Sequence, residues 1–292
     1  MIEKIEIKLP QEEAKFSYKD AHDKALIDLS EEIMLPPTAL SIGRHDYKGE
    51  SYANSTFTYG EFSAIVAASK SKKTFFKSAL IASYIGGSAS TYFPNIETKR
   101  NGNEEVYIVD IDTEQGAYYS QRAMRRVIDM VGSPYENYLP FGVEDLEPEE
   151  IIAFIDGLFA DERYKGKIKW LSIDGIADLL SNANDITESK MVATKLKKWR
   201  KENDCHINCV IHKNSTTDKA TGHLGSFIEK KSETVILLQD TEDYKVRNSP
   251  IEVNQVYSRG APFDTFFFDL NDDTLPRECL GNGEAALSLN RN

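Results

Sequence analysis

The sequence predicts an α/β fold: a mainly parallel sheet with helices on both faces and antiparallel strands added at its C-terminal end. Three observations carry this. Short apolar runs recur at residues 62–68, 106–111, 168–173 and 207–211. Helical segments lie between or after them, at 75–85, 121–131, from Pro148 onward and at 188–202, and strand–helix alternation is the signature of a parallel sheet. Beyond His212 three β-like runs, 233–238, 251–257 and 265–270, follow too closely for crossover helices, so they are expected to be partly antiparallel.

The elements read as follows in order. Residues 12–35 are expected to be helical, with Ala14, Ala21, Ala25, Leu26, Leu29 and Ile33 as an uneven apolar stripe that Pro36 and Pro37 stop. Residues 41–59 are rich in Tyr, Ser, Asn and Gly and read as loop. Gly60 precedes the first clear strand. Gly86, Gly87 and Ser88 break the chain after the first core helix, and Asn101-Gly102 marks a turn before the next strand. Pro148 and the acids after it suit a helix N-terminus. The polar loop 213–222 closes the last alternating unit. The expected organisation is an N-terminal helical extension over 1–38, one core domain over 39–271 and a polar tail over 272–292.

With 292 residues, 40% hydrophobic and 28% charged, the chain has an ordinary globular balance and enough apolar side chains for a sizeable core. No apolar run has the length of a membrane span. The first residues alternate charge and apolarity, unlike a signal peptide. Cys205, Cys209 and Cys279 form no disulfide framework, and Cys205 next to His206 lacks the rest of a zinc pattern. A cytoplasmic, membrane-free protein is expected. The net charge of −12 argues against nonspecific coating of nucleic acid, though not against a groove that concentrates positive charge.

The chemistry concentrates at the ends of the apolar runs. Residues 62–74 pass from a strand through a polar loop, end in Lys73 and Thr74, and open at once into a helix. That is the layout of a phosphate-binding loop, G-x-x-x-x-G-K-[ST], in which helix-start N–H groups and a lysine cradle phosphates and the hydroxyl holds Mg²⁺. Lys70, Ser71, Lys72, Lys73, Thr74 and Phe75 are the nucleotide-binding candidates. The two glycines of the motif fall on Ala67 and Lys72. Alanine is a mild change; lysine is larger, and its side chain is expected to point outward. Taken alone, a helix start with solvated lysines explains this segment as well.

Asp174 ends the 168–173 run and suits a Mg²⁺ partner, or simply a turn. Glu114 is placed to orient or deprotonate an attacking water, or to cap a helix; Asp110 and Asp112 compete for that role. His212 ends its strand where a hydrogen bond to a terminal phosphate is available, with a satisfied structural histidine as the alternative. Arg259 stands on a late turn, as a finger for a neighbouring subunit's nucleotide or as a surface arginine. Lys213, Lys219 and His223 suit phosphate-backbone contacts, with a flexible surface loop as the plainer reading. The basic stretch 195–201 reads as a solvated helix face.

In this order the pieces resemble the RecA-like ATPases, and within them the RepA-like hexameric helicase branch of plasmids, phages and mobile elements. The resemblance spans residues 41–270. It rests on the segment from Gly60 to Val66, Lys70 to Phe75, Asp112 to Gln115, Trp170 to Leu179, Val210 to Asn214 and Gly222 to Ser226. It implies that Lys73 binds the β- and γ-phosphates, Thr74 the Mg²⁺, Glu114 is the catalytic glutamate, Asp174 the Walker B aspartate, His212 the γ-phosphate sensor and Arg259 the trans-acting arginine. Residues 222–226 would be a pore-side loop. ATP and Mg²⁺ would be the cofactors. The partners would be further copies in a homo-oligomer, hexameric in that branch, and nucleic acid, expected to be DNA, held by the loops after Asp174 and His212. The expected activity is ATP hydrolysis coupled to nucleic acid in replication or mobilisation of a mobile element. A scaffold with a degenerate nucleotide site is the alternative. A small-molecule phosphotransferase would need an arginine-rich lid after Asp174, which the sequence lacks.

Overall fold

A computed structural model describes residues 16–100, 102, 105–214, 217–241 and 249–281. It divides into two units, Met1–Leu35 and Pro36–Asn292. In the first, helix α1 covers only Tyr18–Ala25, N-capped by Ser17. The helix expected over 12–35 is therefore much shorter among its described residues. No residue of α1 is buried, so no core face extends the helix, and Leu26 turns to an extended conformation. Residues 12–15 lie outside the described part.

The second unit opens with two strands, β1 (Thr38–Tyr47) and β2 (Glu50–Thr58), paired antiparallel. This corrects the loop expected over 41–59. Lys48 and Gly49 both adopt positive φ, 52° and 83°, which is the two-residue turn that joins strands of matching twist. Ser41, Asn54, Thr56 and Thr58 are buried, and three of them find partners inside the fold: Thr56 Oγ1 accepts from the Ile42 amide, Asn54 donates to the Ile42 carbonyl and Thr58 donates to Glu233. After β3 (Phe62–Ala67), α2 (Lys73–Ile85) and the short α3 (Ala89–Tyr92), strand β4 (Ile96–Thr98) completes this three-stranded sheet.

The main sheet continues with β5 (Tyr107–Asp112), α4 (Ala117–Val131), β6 (Tyr138–Gly142), α5 (Pro148–Ala160), β7 (Ile168–Asp174), α6 (Ile186–Asn203), β8 (His206–His212), α7 (Gly222–Lys231), β9 (Thr234–Asp240), β10 (Ile251–Ser258), β11 (Phe266–Leu270) and β12 (Pro276–Cys279). Its order among the described residues is β12-β11-β10-β9-β3-β8-β7-β5-β6. The strands from β9 to β6 run parallel. β10, β11 and β12 are antiparallel additions. The α/β class is as the alternation predicts.

Three details differ from expectation. The first of the late strands, β9, is parallel to β3, because a helix, α7, does cross over from β8. The glycines and polar residues at 222–226 read as loop, yet Leu224 and Ile228, one turn apart, are buried, and Gly225 packs so closely on Ala220 that a Cβ would fall 2.7 Å from it. The short β6 and β12 were not anticipated, the latter inside the segment read as tail.

Two cores flank the sheet. Helices α2 and α4 pack on one face through Phe76, Leu80, Met124 and Val127. Helices α5, α6 and α7 pack on the other through Ile155, Leu196 and Ile228. Two of these helices have a local reason to begin. Glu147 and Glu150 form a capping box with Pro148 in the first turn of α5, and Asp185 accepts from the Thr187 and Glu188 amides at the start of α6.

Two buried titratable groups set the acid response of this unit. His206 is wholly buried; its Nδ1–H donates to the Thr58 carbonyl and Nε2 accepts from Ser63. Burial depresses its pKa to about 4. The neutral form is native, so this contribution is complete above the unfolded value and is lost as pH falls from about 6.5 to about 4. Glu233 accepts from the Thr58 amide and hydroxyl, and burial pushes its carboxyl up to about 7. Its contribution is present below the unfolded value of about 4.5 and is lost as pH rises to about 7. Each amounts to roughly 3 kcal/mol, and they oppose one another over the same window. Their two contributions to the urea midpoint should therefore largely cancel between these limits. A Glu233→Gln variant should become more stable with rising pH across that window, and a flat profile in the variant would contradict the assignment.

Candidate nucleotide site

The parallel register aligns the chemistry. Ala67 at the end of β3 lies opposite His212 at the end of β8, and Asp112 at the end of β5 lies opposite Asp174 at the end of β7. All four tips share the carboxyl edge, where ligands bind in open α/β sheets.

The loop from β3 to α2 keeps a phosphate-loop backbone without its glycines. Lys70 and Lys72 both hold left-handed conformations, φ 68° and 56°. This costs about 1–2 kcal/mol for each non-glycine residue. The Lys72 side chain turns away to donate to the Ser249 carbonyl at 2.8 Å, and Ser71 donates to Asp240 at 2.8 Å. These anchors to the C-terminal side of the sheet hold the strained loop in place. No side chain caps α2, and the Phe75 amide already donates to the Lys72 carbonyl at 3.1 Å, so any anion at this helix start would meet the amides before it.

Three of the named side chains meet in line. Lys73 Nζ lies 2.6 Å from His212 Nδ1 and 3.3 Å from its Nε2, and that Nε2 lies 3.4 Å from Glu114 Oε1. The hydrogen bond from His212 is the main cause of a lowered Glu114 pKa. Burial lowers the Lys73 pKa, while Glu114 and Asp174 pull it back. The lysine is held desolvated, facing a cleft.

That cleft has a volume of about 400 Å³. Lys70, Lys72, Lys73, Arg122 and Arg126 line it against the single carboxylate of Glu114. Thr74 and Phe75 also line it, as do Gln115, Tyr119 and, from the β11–β12 turn, Leu270 and Thr274. Arg126 stacks on Phe75 with its guanidinium carbon 3.7 Å from the ring centroid, and burial lowers its pKa to about 10. The arginines are spaced four apart on α4, a periodicity visible in the sequence; Thr274 carried no sequence signal.

The competing carboxylates have other partners. Asp112 is saturated by donors: the amides of Glu114 and Gln115, the Gln115 side chain and the Ser120 hydroxyl. Burial raises its pKa, with Lys77 and Ser120 opposing. It builds the turn that projects Glu114. Gly175, φ 97°, lies under that turn, where a Cβ would fall 2.7 Å from Glu114 Cγ. Asp110 takes a hydrogen bond from Tyr138 at 2.7 Å and an ion pair with Lys77 at 2.8 Å.

Of the two oxygens expected to hold magnesium, only one reaches the cleft. Thr74 faces the cleft, but Asp174 does not line it: its Oδ2 lies 3.3 Å from the buried Lys77 ammonium. Among the described residues no group of three or more acidic, His or Cys side chains is arranged to hold a metal.

Arg259 sits at the opposite, amino edge of the sheet. Its guanidinium reaches Glu61 and the Lys231 carbonyl, each at 3.1 Å, so it is far from its own chain's loop. The loop after His212 is partly tied down: Lys213 pairs with Asp218 at 2.9 Å and bridges to Ala220.

A family model described as an AAA domain matches residues 50–218 of the chain. The chain belongs to the AAA-domain family. The matched segment runs from β2 through the loop after β8, and so contains Lys73, Thr74, Glu114, Asp174 and His212 of this AAA domain. Membership places it among the AAA-type P-loop proteins, which implies nucleotide binding, usually with Mg²⁺. No curated protein matches the chain. Among the described residues no helix is long and apolar enough to cross a membrane.

Proposed function

We propose that this AAA domain hydrolyses ATP and couples hydrolysis to nucleic acid as a homo-oligomer of the RepA-like helicase kind, in replication or mobilisation of a mobile element. The observation that carries the reading is the Lys73–His212–Glu114 line at the mouth of a cation-rich cleft. A triphosphate offers Lys73 a better partner than a neutral imidazole, so its arrival exchanges the Lys73–His212 bond for a phosphate contact. His212 is then available to donate to the terminal phosphate, and Glu114 to orient the attacking water. The loops after Asp174 and His212 leave the same edge and are the route by which nucleotide state reaches a nucleic acid. In this reading Arg259, which lies at the far edge from its own loop, serves a neighbour's site.

Two measurements test this. Titration calorimetry of ATP into the full chain should show saturable binding, and steady-state hydrolysis should rise on adding single-stranded DNA. Negligible binding would favour a scaffold built on a nucleotide fold. Hydrolysis indifferent to DNA and RNA would remove the nucleic-acid half of the reading.

A further inference from the structure

Lys77 has no part in the reading above, and its position is unusual. It lies one turn beyond Lys73 in α2, on the face that packs against the sheet, with 1% of its surface exposed. Its neighbours on that face, Phe76 and Leu80, belong to the apolar core. The ammonium lies between the tips of two adjacent strands: 2.8 Å from Asp110 on β5 and 3.3 Å from Asp174 on β7. Tyr138 donates to the other oxygen of Asp110 at 2.7 Å. A charge taken this far from water is retained only with opposite charge around it, and here two carboxylates supply that. Burial opposes the Lys77 charge, but the carboxylates outweigh it and hold its pKa above the usual lysine range. The ammonium is thus a fixed cation at the strand tips.

In phosphate-loop enzymes the aspartate at the end of this strand and the loop Thr hold a divalent cation between them. Here the aspartate already has a cation beside it that belongs to the chain. The cleft compensates in its own composition: with the Lys72 ammonium turned away to Ser249, Lys70, Lys73, Arg122 and Arg126 still line it against one carboxylate and offset most of a triphosphate's charge without a metal.

We propose that Lys77 takes the place of the metal at Asp174, so that nucleoside triphosphate binding by this chain depends only weakly on Mg²⁺. The inference rests on the nucleotide reading of the cleft and adds to it which cation neutralises the second strand tip. Thr74 remains available to a metal that arrives with the nucleotide.

The test is calorimetric titration of ATP into the full chain, once with excess Mg²⁺ and once with excess EDTA. The two dissociation constants should agree within about threefold; affinity lower by about tenfold or more in EDTA overturns the proposal. A second measurement does not depend on turnover. Manganese binding, read by electron paramagnetic resonance with a non-hydrolysable ATP analogue, should be weak in the native protein. It should tighten by about tenfold or more in a Lys77→Met, Asp110→Asn double variant, which frees Asp174 without leaving two uncompensated buried carboxylates. Equal manganese affinity in the two folded proteins also overturns the proposal. Should the double variant fail to fold, the Mg²⁺–EDTA comparison on the native chain decides alone. Absence of ATP binding in both buffers removes the nucleotide reading and this inference with it. Binding with Mg²⁺ alone leaves the nucleotide reading intact and removes only this inference.

Discussion

A Lys73→Ala variant is expected to lose nucleotide hydrolysis by about 100-fold or more, because under the proposed function it removes the charge nearest the transferring phosphoryl group. It should also lose most nucleotide affinity. Its effect on the unliganded protein carries the opposite sign. Lys73 is buried, with the His212 imidazole as its nearest hydrogen-bond partner, and burial already lowers its pKa. Removing a desolvated cation that awaits a ligand relieves a cost. The melting temperature of the free variant should therefore be unchanged or higher, while the increase that ATP confers on the native protein disappears. Thermal scans with and without ATP measure both. A variant that melts lower when free, yet is still stabilised by ATP, would show that Lys73 is a structural residue and that the phosphate site lies elsewhere.

What the sequence made legible, and what it hid, follows from the range of the forces involved. Lys73, Glu114, Asp174 and His212 were readable because each follows a short apolar run, and in a parallel sheet the ends of such runs share one edge. Their alignment in register, Ala67 with His212 and Asp112 with Asp174, is a pairing of distant segments and left no local mark. The hairpin of β1 and β2 was hidden because Ser41, Asn54, Thr56 and Thr58 are polar, and polar residues signal a loop unless their partners are known. The helix α7 was hidden because Gly225 is there for close packing on Ala220, a tertiary cause, while locally it weakens a helix. The positive φ at Lys72 runs against intrinsic preference; its anchor, the Ser249 carbonyl, comes from a part of the chain 177 residues away. Lys77 was the least legible, because a lysine in a helix reads as solvated until the strand tips beneath it are located.

The largest separation between two variants is expected at the turn after β5, where the sequence left Asp110, Asp112 and Glu114 as rivals. Glu114→Gln should lower hydrolysis by about 10²–10⁴-fold, the usual contribution of a positioned base, and keep the ATP-induced rise in melting temperature. The amide oxygen can still accept from His212, so the variant tests proton acceptance rather than geometry. Asp112→Asn should behave differently. Asp112 accepts from two amides, the Gln115 side chain and the Ser120 hydroxyl, all of them donors. An asparagine turns an NH₂ toward one pair of those donors, leaving buried groups unsatisfied at a cost of about 1–3 kcal/mol. Its main effect should be a lower denaturation midpoint, with hydrolysis reduced only as far as Glu114 loses its aim. The two are separated by plotting hydrolysis against stability: Glu114→Gln falls on the activity axis, Asp112→Asn on the stability axis. If Asp112→Asn abolished turnover at native stability while Glu114→Gln remained active, the water-orienting carboxylate would be Asp112. The four hydrogen bonds that now explain it as a turn residue would then have to open during the reaction.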